Sequence, residues 1–200
     1  MKSIHMKIGI DMDEVIVELL DSVIEYYYEK TGKRFPREDF KTYDWGEIWG
    51  ITMEEAIKIA HEFHDKSTIQ DEKPLDQAVE SMSSLLKEND EIYVITARPI
   101  KYRKKVEDWI KHYFHDSPIQ VISAGDFYGN TLTKAGICKK LGIKVILEDQ
   151  NHIALDCAKN NIKVLLFDKP WNKKLEHENI IRVSGWIEAM KKIKSMKSLE

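Results

Sequence analysis

Ile8-Gly9-Ile10-Asp11-Met12-Asp13-Glu14-Val15 is a short β-branched apolar run that ends in two aspartates one residue apart. Alternate side chains of an extended segment share a face, so Asp11 and Asp13 leave such a strand on the same side. Two carboxylates directed at one spot repel unless a cation or a proton is shared between them. The pair is therefore a candidate magnesium and acid/base site, although a solvated acidic turn gives the same local pattern.

Strand-like apolar runs occupy residues 7–10, 92–96, 119–123, 145–148, 164–167 and, more weakly, 180–183. Helical patterns lie between most of them. Residues 99–114 open on Pro99 and repeat apolar groups at Val106, Trp109, Ile110 and Tyr113. Residues 134–141 close on Gly142, residues 153–159 precede Asn160-Asn161, and Ser184 opens a last helix through Trp186, Ile187, Met190 and Ile193. Strands and helices alternating in this rhythm imply right-handed crossovers, hence an α/β fold with a mainly parallel sheet covered by helices on both faces.

One interval breaks the rhythm. Between the first run and Ile92 the pattern is helical: residues 15–30 are apolar on one face, and Thr52 with Glu55 forms a capping box ahead of Met53, Ala56, Ile57, Ala60 and Phe63. Pro74 starts a third amphipathic stretch through Leu75, Ala78, Val79, Met82, Leu85 and Leu86. The expected organisation is an α/β core of residues 6–15 plus 89–197 and a helical insertion of residues 16–88. Phe35, Phe40, Tyr43, Trp45 and Trp49 crowd one linking segment, where they either fill the insertion's core or line a pocket for a flat ligand.

Composition narrows the function. With 31 Lys plus Arg against 34 Asp plus Glu, the net charge of −3 gives no basic face for a nucleic-acid polymer, and a small polar substrate fits better. No run approaches a membrane helix and the N-terminus lacks a signal-peptide core, so a cytoplasmic protein without a membrane partner is expected. Cys138 and Cys157 suit neither a disulfide framework nor a zinc site. His61 and His64 miss the zinc-protease spacing by one residue and read as a solvated helix face; His112 and His115 fall at a helix end, where a cation is favoured. Lys191, Lys192, Lys194 and Lys197 read as the wet face of the last helix. A homodimer is left open.

Ligands of open parallel sheets bind beyond the carboxyl ends of the strands. The first run ends in Asp11 and Asp13, the second in Thr96-Ala97-Arg98, and the fourth in Glu148-Asp149, while Lys134 lies at the start of a helix. Carboxylates, hydroxyl, ammonium and carboxylates in that order suit a magnesium-dependent phosphoryl transfer. Lys139 and Lys140 compete with Lys134 but sit deeper in their helix.

These four segments resemble the ordered motifs of the haloacid dehalogenase superfamily of phosphohydrolases, over about Met6 to Phe167. The resemblance implies a Rossmann-like core, with the insertion as an all-helical C1-type cap. Tyr43-Asp44-Trp45 and Phe167-Asp168-Lys169-Pro170-Trp171-Asn172 are similar to the 5'(3')-deoxyribonucleotidase family. It implies Asp11 as nucleophile through an aspartyl-phosphate, Asp13 as general acid and base, and Thr96, Lys134 and the backbone N–H groups of Met12, Asp13 and Ala97 on the phosphate. Mg2+ would be held by Asp11, the Asp13 carbonyl and Asp149, with Glu148 as a further ligand or behind it. Glu148 departs from the usual paired aspartates. Tyr43, Trp45 and Arg98 are the candidate substrate and cap residues, and a nucleoside monophosphate is the expected substrate. Sugar phosphates or other small phosphometabolites are the alternative, and a non-catalytic phospho-ligand or protein-binding module is a third.

Overall fold

A computed structural model describes residues 5–124 and 133–198; residues 125–132, inside the expected core, and the chain ends lie outside it. Six strands, β1 (Lys7–Ile10), β2 (Glu91–Thr96), β3 (Gln120–Ser123), β4 (Val145–Glu148), β5 (Lys163–Phe167) and β6 (Ile180–Val183), form one sheet. All neighbours are parallel and the order is β3-β2-β1-β4-β5-β6. Helices α1 (Leu19–Thr31), α2 (Trp45–Trp49), α3 (Met53–Lys66) and α4 (Ala78–Lys87) lie between β1 and β2. They are followed by α5 (Arg103–Phe114), α6 (Lys134–Leu141), α7 (Asn151–Lys159) and α8 (Trp186–Lys197). The α/β fold is the one expected.

The strands are apolar almost throughout because both faces are covered. Ile8, Ile10, Val94, Leu147, Leu165 and Phe167 join the cluster that holds α1, α3, α4, α5 and α8, while Tyr93, Ile95, Ile146, Val164 and Leu166 pack under α6 and α7. Gly9 lets this second face close: a Cβ there would lie 3.2 Å from Ile146 and 3.3 Å from Ile95. Cys138 and Cys157 are free thiols buried in the same layer.

Several boundaries differ from the sequence reading. Helix α1 starts at Leu19 because the N–H groups of Ile16 and Val17 both donate to the Met12 carbonyl, making a tight turn after β1. Pro74 does not open α4; it pairs with Val17 in an isolated antiparallel bridge, and Leu75 N–H donates to the Ile16 carbonyl. A 3-10 turn, Ile100–Tyr102, precedes α5. Thr52 and Glu55 form the capping box of α3, and Gly142 ends α6 in the left-handed conformation at φ +73°. Lys197 is not on a wet face: its ammonium pairs with Glu88 and Asp90, and Asp90 also accepts the Met6 N–H at 2.9 Å. That ties α8 to the segment ahead of β2.

Candidate active site

Strand β1 lies between β2 and β4, where the chain's connections run off in opposite directions and the loops after the strands part. Asp11 N–H continues the ladder by donating to the Leu147 carbonyl at 2.9 Å, which sets Asp11 beside the end of β4. Lys134, the first residue of α6, reaches between the two strands, 2.7 Å from Asp11 Oδ1 and 2.8 Å from Glu148 Oε2. Met12 N–H also donates to Asp11 Oδ1 at 2.7 Å, so it is spent on the carboxylate and not left for a phosphate. Thr96 ends β2 fully buried, its hydroxyl accepting the Arg98 N–H at 3.1 Å.

Asp11, Glu148 and Asp149 each offer an oxygen within 4.8 Å of the others, and all three are buried. Both oxygens of Glu148 are already partnered, Oε1 by the N–H groups of Asp149 and Gln150 and Oε2 by Lys134. Asp149 Oδ2 accepts the Trp171 indole N–H at 3.0 Å, while its Oδ1 has no partner among the described residues. Burial, then the charge of Glu148, pushes the Asp11 carboxyl well above its ordinary range, against the opposing pull of Lys134. Burial, Glu148 and Asp11 push Asp149 up in the same direction. Burial opposes the charge of Lys134, but Asp11 and Glu148 outweigh it and raise its pKa.

Asp13 stands apart from this trio. Arg98 Nε lies 3.1 Å from both of its oxygens and Nη2 lies 2.5 Å from Oδ1, while Nη1 reaches Glu72 Oε2 at 2.8 Å. The guanidinium is 4% exposed, and although burial disfavours its charge, Asp13 and Glu72 raise its pKa. Burial would raise Glu72, but Arg98 overrides it and holds the carboxyl at about 2. His64 completes the row with Nδ1 3.6 Å from Glu72 Oε1 and without a hydrogen bond among the described residues; burial and the charge of Arg98 lower its pKa. The expectation of a solvated helix face is overturned for His64, which is buried because α3 turns it toward the strand ends, while His61 is half-buried at the same face.

A cavity of about 340 Å3 opens over Asp11 and Asp13. Met53, Ala56, Ile57, Ala60, His61 and His64, a stripe of three- and four-residue spacing on α3, form one wall. Tyr43, Trp45, Ala97 and Arg98 also line it, joined by Gln150 and His152. The aromatic segment therefore divides. Tyr27 stacks on Trp49 at 4.2 Å and Phe40 meets Trp49 edge-on, as core, while Tyr43 and Trp45 face the cavity. Packing around the Tyr43 ring, then the charge of Asp149, raises its hydroxyl pKa.

Residues 4–199 match the family model described as "5' nucleotidase, deoxy (Pyrimidine), cytosolic type C protein". The chain belongs to this family. It is a phosphoric monoester hydrolase. A nucleotidase of Clostridium acetobutylicum is 28% identical over 189 residues, spanning 92% of this chain and 91% of its own. Among solved structures, a "predicted phosphatase" from Clostridium acetobutylicum superposes with a TM-score of 0.66 at 16% identity, over 96% of this chain and 99% of that one. A "HAD hydrolase, family IA, variant 3" from Entamoeba histolytica gives 0.60 at 16% identity, over 92% and 94%, so the fold is shared with it.

Within this nucleotidase-family chain the donor set fits a hard divalent cation. Oxygen ligands converge, three acids crowd one spot, and one buried carboxylate oxygen has no donor among the described residues. Lys139 points elsewhere, to Asn160 Oδ1 at 2.6 Å, and Lys140 is exposed. Three participants were not legible in the sequence: Glu72 carries no local signal, His64 looked like surface, and Glu14 sits where a turn residue was expected. Trp171 was readable only as part of a family string, without its contact to Asp149. No helix among the described residues is long and apolar enough to cross a membrane.

Proposed function

We propose that the chain is a magnesium-dependent phosphomonoesterase that hydrolyses nucleoside monophosphates through an aspartyl-phosphate on Asp11. The observation that carries this reading is the convergence of Asp11 and Asp149, with an unpartnered Asp149 oxygen, under an apolar and aromatic cavity. Asp11, Asp149 and the Asp13 carbonyl would hold Mg2+, and Glu148, spent on Lys134 and two N–H groups, would act from behind them. The bound ion would offset repulsion between the anionic nucleophile and the anionic substrate.

The chain's own residues divide the chemistry. Asp11 Oδ2, free of hydrogen bonds among the described residues, attacks phosphorus; a bond forms from phosphorus to that oxygen and the bond to the 5'-oxygen breaks. The departing alkoxide takes a proton from Asp13. Water then gives a proton to Asp13 and attacks the phosphorus, which returns Asp11 as a carboxylate and releases orthophosphate. Lys134, Thr96 and the N–H groups of Asp13 and Ala97 would steady the phosphoryl oxygens. Asp13 can serve the leaving group only when its pair with Arg98 opens, and Glu72 keeps the guanidinium partnered when it does. Residues 16–88 would act as a cap, its α3 stripe, Tyr43 and Trp45 holding the nucleoside and excluding water.

Phosphate release from a panel of nucleoside monophosphates and sugar phosphates, with Mg2+ or with EDTA, tests the reading. Turnover should require the ion, vanish in Asp11→Asn, and fall by about 10²–10⁴ in Asp13→Asn. Trp45→Ala should raise KM for nucleotides more than for sugar phosphates. Full turnover in EDTA, or an active Asp11→Asn, would sink it; a preference for sugar phosphates would leave the chemistry and replace the substrate.

A further inference from the structure

We propose that Trp171 is the positioning residue of Asp149: its indole N–H fixes one carboxylate oxygen so that the other is presented to a divalent cation. This rests on the magnesium reading above and adds a residue to it. The 3-10 turn Pro170–Asn172 after β5 is tied down from three directions. Asn172 donates through Nδ2 to the carbonyls of Asp149 and Phe167, each at 2.7 Å. Arg182 of β6 donates to Asn172 Oδ1 at 2.6 Å and to its carbonyl at 2.8 Å, and Asn151 of α7 donates to the Trp171 carbonyl at 2.7 Å. With its backbone so held, Trp171 has one indole N–H to place, and it goes to Asp149 Oδ2 at 3.0 Å.

The consequence lies in the other oxygen. Asp149 is fully buried and its Oδ1 meets no donor among the described residues, an arrangement that costs free energy in a folded chain unless a cation takes up the lone pairs. A ligating carboxylate is commonly held by a donor on its remote oxygen, and losing such a partner typically weakens the metal site by about 10–100-fold. The ring of Tyr43, from the segment between β1 and β2, meets the indole edge-on with centroids 5.9 Å apart, a contact that restricts the ring plane. Among the described residues this N–H has no other acceptor.

Titration with Mn2+, followed by the electron paramagnetic resonance of the free ion, compares the whole chain with Trp171→Phe. The variant should bind Mn2+ about 10–100-fold more weakly. Melting in EDTA and in excess Mg2+ separates positioning from bulk packing: the rise in Tm that Mg2+ produces should shrink in the variant. An unchanged Mn2+ dissociation constant, with Tm lowered equally in both buffers, would overturn the role of Trp171 alone. A wild-type chain that binds no Mn2+ would overturn the magnesium reading and this role with it. Should Trp171→Phe not fold, the wild-type indole N–H resonances decide, assigned by single replacement of the other four tryptophans. The Trp171 signal should shift on Mg2+ addition more than those four and return with EDTA, and a signal indifferent to the ion would overturn the role.

Discussion

Lys134 is the residue on which the site's charge balance turns. Its ammonium is the one cation in contact with both Asp11 and Glu148 among the described residues, and burial leaves water little access to any of the three. Removing one partner of such a group leaves uncompensated buried charge, which typically costs about 3–5 kcal/mol. Lys134→Met should therefore lose about 10²-fold or more in kcat, by analogy with removal of a preorganised donor, and should also unfold at lower urea. Lys139→Met is the control, since its ammonium sits at the surface on Asn160 and surface changes stay within about 0.5 kcal/mol. Phosphate release and urea midpoints on both variants check this, and equal losses would remove Lys134 from the site.

The turn between β1 and α1 shows how much a strand-end motif leaves unsaid. Glu14 holds φ +59°, a conformation that costs a side-chain residue about 1–2 kcal/mol relative to glycine. Its carboxylate repays this: it accepts the Leu20 N–H and Lys169 Nζ, each at 2.8 Å, and pairs with Arg37. Those partners come from α1, from the loop after β5 and from the segment between α1 and α2, so one buried acid joins the chain between β1 and β2 to the far half of the sheet. Glu14→Gly gains the relaxed backbone and loses the pairs. With about 3–5 kcal/mol for a broken buried pair, the net should be a loss of about 2 kcal/mol, read as a lower urea midpoint. A glycine variant more stable than wild type would mean the pairs contribute little. The strands and the Asp, Thr, Lys and Glu-Asp positions were legible because each is a local pattern, an apolar run with polar residues at its carboxyl end or a helix start beside it. Glu14, Glu72 and Trp171 were not, because their partners lie 5 to 155 residues away in sequence and no periodicity marks them. His64 reads as surface for the same reason, since the sequence shows the helical stripe but not the direction it faces.

Across the whole molecule, the row Asp13–Arg98–Glu72–His64 runs from the strand ends to the helices between β1 and β2 and should make folding sensitive to acid. Glu72 keeps a pKa of about 2 in the fold, against 4.5 for a free glutamate. A depressed acid stabilises the fold above its unfolded value and loses that contribution as the pH falls through the folded one, here between about 4.5 and 2. The gap corresponds to about 3 kcal/mol. His64 works in the same direction: its pKa is lowered by burial and by Arg98, so the unfolded chain takes up the proton first and stability begins to decline as the pH drops below the ordinary histidine range. Facing this pair are Arg98, Asp13 and the Ser67 hydroxyl, 3.1 Å from Glu72 Oε1, with the Trp109 indole N–H on the Glu72 carbonyl at 2.7 Å, the Lys105 ammonium on the His64 carbonyl and the Tyr102 ring 5.2 Å from the imidazole. Urea midpoints measured in EDTA from pH 7 to 2.5 should therefore fall more steeply for wild type than for Glu72→Gln, which starts lower at pH 7 because Arg98 loses a partner. The two curves should converge near the acid end, and parallel curves would show that Glu72 ionises in the fold as it does in the unfolded chain.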